Sequence, residues 1–161
     1  MRRAALFFIS TVLVTIPVSS FADAATGRYA THNGHETTQE LADGSKVLTS
    51  HYSQITFAED QSYPLDNVSS DCVGRFHTSA DGAFISADGM CTGFDAAGDT
   101  TSFWWRADKS GTSDCPGICG SWGYFNGTGK YKGIVGSGTW VRDTLFYNGS
   151  SGTWKGEAKL K

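Results

Sequence analysis

Four cysteines, at positions 72, 91, 115 and 119, are the residues of this 161-residue sequence whose chemistry is easiest to name. They can pair as two disulfides or ligate a metal. Ligation calls for C-x2-C knuckles or neighbouring histidines, and neither is present, so two disulfides are expected. Three pairings exist. Cys115-Pro116-Gly117-Ile118-Cys119 encloses a Pro-Gly turn that can fold the backbone on itself, which favours a local bridge and leaves Cys72 for Cys91. If Asp81-Gly82 is a two-residue hairpin turn, positions facing each other across it add to 163, as 72 and 91 do. That places the pair at a hydrogen-bonded site with roughly 5.5 Å between Cα atoms, inside the disulfide window. Asp88-Gly89 is a second turn signal in the same strand, and a turn there would spoil the register.

The other reactive side chains form weaker patterns. His32 and His35 lack a third ligand nearby, and Asp95 and Asp99 lack the ligand spacing of a calcium loop. Neither a metal nor a cofactor is expected. His51 and His77 fall in strands and could work as acid/base groups lining an interior, or be ordinary strand-face histidines. Ser121 has Cys119 where a nucleophile elbow requires glycine, so no acyl-transfer machinery is visible. Aromatic groups carry more information: Phe103-Trp104-Trp105, Trp122-Gly123-Tyr124-Phe125 and Trp140. Adjacent strand residues face opposite sides, so Trp104 and Trp105 cannot both point into one core. These rings either fill a core or line a cavity for an apolar or ring-shaped ligand, with Arg106, His51 or Tyr124 orienting it.

The elements that would position these groups are strands. Apolar periodicity is close to two along most of the chain, and no window of ten residues holds a helical repeat. Strands are expected around Tyr29 to Asn33, Glu36 to Leu41, Lys46 to Phe57, Asp71 to His77, Ala83 to Ala87, Met90 to Phe94, Thr100 to Ala107, Gly120 to Phe125, Gly138 to Tyr147 and Gly152 to Leu160. In the strand from Lys46, one face carries Val47, Thr49, His51, Ser53, Ile55 and Phe57 and the other Leu48, Ser50, Tyr52, Gln54 and Thr56; neither is wholly apolar. Residues Glu59 to Ser70, with Pro64, read as a crossing loop, and Ala96 to Asp99 and Asn148 to Gly152 as turns. The fold class is all-β: one small antiparallel barrel or sandwich of about eight strands with negligible helix.

Ahead of these strands, Arg2 and Arg3, an apolar stretch from Ala4 to Val18 and the small-residue segment Ala22-Asp23-Ala24 have the layout of a secretory signal peptide. Cleavage after Ala24 leaves a domain of residues 25–161 and moves the net charge from −3 to −4. The apolar stretch falls short of the ~20 residues of a spanning helix, so an exported chain without stable membrane insertion is expected, periplasmic or secreted. With no basic excess, nucleic-acid binding is not expected. Asn67, Asn126 and Asn148 head N-x-S/T sequons, relevant only in a host that glycosylates exported proteins.

The most distinctive segment runs from Gly127 to Gly138 (GTGKYKGIVGSG). Its spacing fits neither a dinucleotide-binding turn nor a P-loop. Its own chemistry reads as a loop whose glycines take positive φ while Tyr131 and Ile134 fold inward. Through Gly127, Thr128, Gly129, Gly133 and Gly136 this stretch, as far as about Val141, resembles the loop of the allene oxide cyclase and dirigent-like barrel superfamily. The chain is most similar to small exported bacterial members, which share a Gly-x-Cys strand, here Gly89-Met90-Cys91, followed by a D-x-x-G-D turn, here Asp95 to Asp99. The resemblance implies an eight-stranded antiparallel barrel, and a homo-oligomer, since plant members are often trimeric. It implies an apolar substrate or ligand in the lumen. No residue of this chain matches the plant enzymes' catalytic groups, so the resemblance carries the fold and not the reaction.

The function expected is therefore an exported, disulfide-stabilised barrel that binds a small hydrophobic or aromatic molecule without catalysis, at Trp104, Trp105, Arg106, Trp122, Tyr124, Trp140, His51 or His77. A lumenal cyclase or isomerase, and a carbohydrate-binding module using exposed tryptophans, are the alternatives.

Overall fold

A computed structural model describes residues 24–61, 63 and 65–160. The signal-peptide expectation, apart from Ala24 itself, lies outside the described residues. Eight antiparallel strands, β1 (Ala24–Glu40), β2 (Lys46–Ala58), β3 (Val68–Thr78), β4 (Phe84–Phe94), β5 (Thr100–Thr112), β6 (Cys115–Gly127), β7 (Val135–Phe146) and β8 (Gly149–Lys159), pair in sequence order and close as β1 meets β8. Closure leaves no unpaired sheet edge. A single 3-10 turn, Gly129–Tyr131, is the helix among the described residues, and no helix there is long and apolar enough to cross a membrane.

Three hairpins share one loop design. In Leu41-Ala42-Asp43-Gly44-Ser45, Ser79-Ala80-Asp81-Gly82-Ala83 and Asp95-Ala96-Ala97-Gly98-Asp99 the first residue's N–H donates to the fifth carbonyl and the glycine's N–H to the first carbonyl. The glycines sit at φ of 81°, 86° and 85°, where a Cβ would be strained. The loop after β3 therefore spans three residues, not the expected two. A bulge at Ile85 then compensates, so that Phe76 faces Ala87 and Cys72 faces Cys91 in the expected register.

Several sequence expectations merge or shift. The two short strands before Leu41 are one strand with a bulge at Gly34-His35, and Asp88-Gly89 is not a turn but part of continuous β4. Pro116-Gly117 is not a free turn either. It is a bulge within β6, where the pairing steps from Thr112 with Cys115 to Ser110 with Ile118, and this brings Cys115 and Cys119 to 5.9 Å between Cα atoms. The last hairpin turns on Tyr147 and Asn148, with Asn148 at φ 60°, rather than on Asn148 to Gly152.

Both expected disulfides are present, Cys72 to Cys91 and Cys115 to Cys119. The first spans facing residues only 4.1 Å apart at Cα, the close spacing of a non-hydrogen-bonded pair rather than the wider site expected.

Candidate functional site

Alternation decides which rings enter the barrel. Trp105 on β5, Trp122 and Tyr124 on β6, Trp140 on β7 and Trp154 on β8 point inward, joined by Tyr29, Tyr52, Phe76 and Phe103. Large rings fit because glycines face them. A Cβ at Gly74 or Gly89 would lie 2.6 Å from the Trp105 ring, and one at Gly138 or Gly156 within 2.7 Å of Trp122. Edge-to-face contacts then tie Trp105 to Trp140, with centroids 5.8 Å apart, and Trp122 to Trp154, 6.2 Å apart.

One end of the barrel is stoppered. Tyr63 and Leu65 from the β2–β3 loop fold beneath the rings, Tyr63 against Trp154 at 6.0 Å. Asp66 holds that loop by accepting the Ala58 N–H at 2.8 Å. The Gly-rich loop adds Tyr131 and Ile134, only 1% and 2% exposed, the inward folding its spacing predicts. It is locked by Asp99, which accepts the Lys130 N–H at 3.0 Å, and by Asp95, which pairs with Lys130 Nζ at 2.6 Å. The hydrogen bond from Lys130 holds the Asp95 carboxyl below its ordinary value.

Above this floor a cavity of about 200 Å³ remains. Its lower wall is aromatic, and its upper wall carries Asn33, Glu36, Gln54, Ser150 and Arg142. Leu145 stands at the rim, 71% exposed. Two of the lumenal indoles are satisfied by backbone: Trp140 Nε1 donates to the Ser121 carbonyl at 3.2 Å and Trp154 Nε1 to that of Phe57 at 3.3 Å. Trp122 Nε1 is buried without a hydrogen-bond partner, and Trp105 Nε1 faces the Tyr52 hydroxyl without forming a well-aligned bond. Tyr52 in turn lies 3.9 Å from Cys91 Sγ, so the Cys72–Cys91 bridge forms part of the inner wall.

Burial pushes the phenols of Tyr29, Tyr52 and Tyr124 well above the ordinary value of 10.0; for Tyr29 the Arg142 guanidinium offsets part of that rise. They are hydrogen-bonding groups here, not bases. A group with its folded value raised loses protons first in the unfolded chain, so its contribution is intact below about pH 10 and stability falls as pH climbs beyond it. We expect these three of the six tyrosines to stay protonated at about pH 11 while the barrel is folded. Absorbance at 295 nm should then show no more than half the change seen in guanidinium; a full change with the fold intact would refute the burial of these hydroxyls.

Of the residues singled out in the sequence, Trp105, Trp122, Tyr124 and Trp140 meet in the lumen. Trp104 and Arg106 lie on the outer face, the guanidinium carbon 5.4 Å from the indole centroid, with Trp104 laid over Gly123. His51 is exposed on the outer face of β2, and His77 reaches Ser45 Oγ at 3.2 Å outside the lumen. Sequence reading missed Tyr29, Tyr52, Phe76, Trp154, Leu65 and Arg142, and named Phe103 only within its aromatic group. Parity was the available signal for two of them, since Tyr52 shares its face with Leu48 and Gln54, and Arg142 shares one with Trp140.

No protein-family model and no curated protein sequence matches this chain. Among solved structures, the chain is similar to a pterocarpan synthase dirigent protein at 11% sequence identity, with 98% of this chain and 100% of that one covered and a TM-score of 0.51. At that identity the likeness establishes a dirigent-like barrel fold for this chain and nothing finer.

Proposed function

We propose that the protein is an exported binding barrel that holds a small hydrophobic or aromatic molecule in its lumen without transforming it. The observation that carries this reading is the cavity itself, floored by indole and phenol rings and open at the Leu145 rim. At about 200 Å³ the space is smaller than the roughly 300–1,000 Å³ of drug-sized pockets and suits a molecule of one or two rings. Two disulfides support export to an oxidising compartment. Dirigent proteins enter as a parallel for the fold.

The test is titration of the folded barrel with neutral 1-naphthylamine, read by probe emission and by energy transfer from tryptophan. Saturable 1:1 binding is expected, weakened at least tenfold by Thr31→Phe, which narrows the lumen, and unchanged by Thr92→Phe on the outer face. Absence of saturable binding for naphthalene, indole and phenol probes, or binding indifferent to Thr31→Phe, would rule out the lumenal site.

A further inference from the structure

Among the described residues, Arg142 is the cation that lines the lumen. It follows Trp140 on the inward face of β7, pairs in register with Gly152 and Ile118, and is half-buried at the upper wall of the cavity. Among the described residues its guanidinium forms neither an ion pair nor a hydrogen bond; its interaction there is with the phenol of Tyr29, a weak Coulombic partner that is itself protonated. Neither the carboxylate on the cavity wall nor the one next in sequence pairs with it. Glu36, exposed at the same rim, accepts the Ser50 hydroxyl at 3.2 Å, and exposed Asp143 accepts that of Thr144 at 3.2 Å. Burial lowers the Arg142 value, as it does for a cation losing water without gaining a counter-ion.

Partly buried charges in proteins are ordinarily paired, because desolvation is repaid only by an opposite charge or by several hydrogen bonds. A guanidinium offers five donors in a planar fork suited to an oxyanion. Below it lies an apolar, ring-lined space with little polar chemistry beyond single hydroxyls. Charge at the top and rings at the bottom match a molecule with one acidic end.

We propose that Arg142 makes the lumen selective for amphipathic acids, which seat an aromatic or apolar body among Trp105, Trp122 and Trp140 and a carboxylate or comparable oxyanion on the guanidinium. This rests on the lumenal reading above and adds the class of ligand. It also gives Arg142 a role that stability alone would not demand.

Isothermal titration of the folded protein at pH 7 with 2-naphthoate and with 2-naphthamide separates the two claims, since the pair share a ring system and differ in charge. Naphthoate is expected to bind at least tenfold more tightly. Arg142→Met should abolish that preference, leave naphthamide affinity within about twofold, and leave the melting temperature unchanged or raised, as expected when an unpaired half-buried charge is replaced by an apolar chain. Arg142→Lys, which keeps charge but loses the fork, should fall between them. Equal affinity for the two compounds in the native protein, or naphthoate binding untouched by Arg142→Met, overturns the charge selectivity while the lumenal site stands. If neither compound binds, the lumenal reading fails with it.

Discussion

Replacing Trp105 with alanine is expected to cost about 3–5 kcal/mol of stability, the range for removing a large buried aromatic side chain. Trp105 touches the rings of Tyr52, Phe76 and Trp140, with centroids 6.4, 5.7 and 5.8 Å away, and lies across Gly74 and Gly89. Neither glycine has a side chain that could move in behind it, so the space would stay open and join the existing cavity. Trp104→Ala is the internal comparison. That indole is on the outer face over Gly123, under Arg106, and its loss should cost about 1 kcal/mol. Urea denaturation of both variants measures the difference. Equal losses would mean that the alternation assigned to β5 is wrong.

The same pair of residues shows how far the sequence could be read. Adjacency forced Trp104 and Trp105 onto opposite faces, but nothing local said which face was inside. Ordinarily the more apolar face answers that, and on β2 it gives no answer. The inner face there is Leu48, Ser50, Tyr52, Gln54 and Thr56, because it borders a cavity rather than a packed core, while Ile55 and Phe57 face outward. Closure of the sheet supplies the missing information, and closure is a property of all eight strands together.

Glycine misled the reading for a related reason. Asp88-Gly89 has the composition of a turn, yet Gly89 is mid-strand because the Trp105 ring, sixteen positions later, occupies the place of its side chain. Gly44, Gly82 and Gly98 do mark turns, and there the requirement is local: positive φ in the loop. Local requirements were legible and long-range ones were not. Arg142 belongs to the second kind. Its sequence neighbours Val141 and Asp143 give no hint of enclosure, and only its parity with Trp140 places it in the lumen.

The second large effect is expected at the inner disulfide. Substituting alanine for both Cys72 and Cys91 should lower stability by about 3 kcal/mol, the loop-closure value for a separation of 19 residues, against about 2 kcal/mol for Cys115 and Cys119, separated by four. Position widens this gap. Cys72 and Cys91 are both buried at 3% exposure beneath Tyr52, where two alanines leave a void beside the phenol, whereas in the other bridge Cys115 is buried but Cys119 is partly exposed on the bulged stretch of β6. The register gives a further reason for asymmetry. The bridge fixes β3 on β4 after a three-residue loop and a compensating bulge at Ile85, an arrangement in which a one-residue slip would turn every inward residue of β4 outward. Paired denaturation curves of the two double variants, with naphthylamine binding as a second readout, test the whole argument. The Cys72/Cys91 variant should lose both stability and affinity, and the Cys115/Cys119 variant mainly stability. A Cys72/Cys91 variant as stable as the native chain would show that β3 and β4 hold their register through pairing and the packing of Trp105 alone.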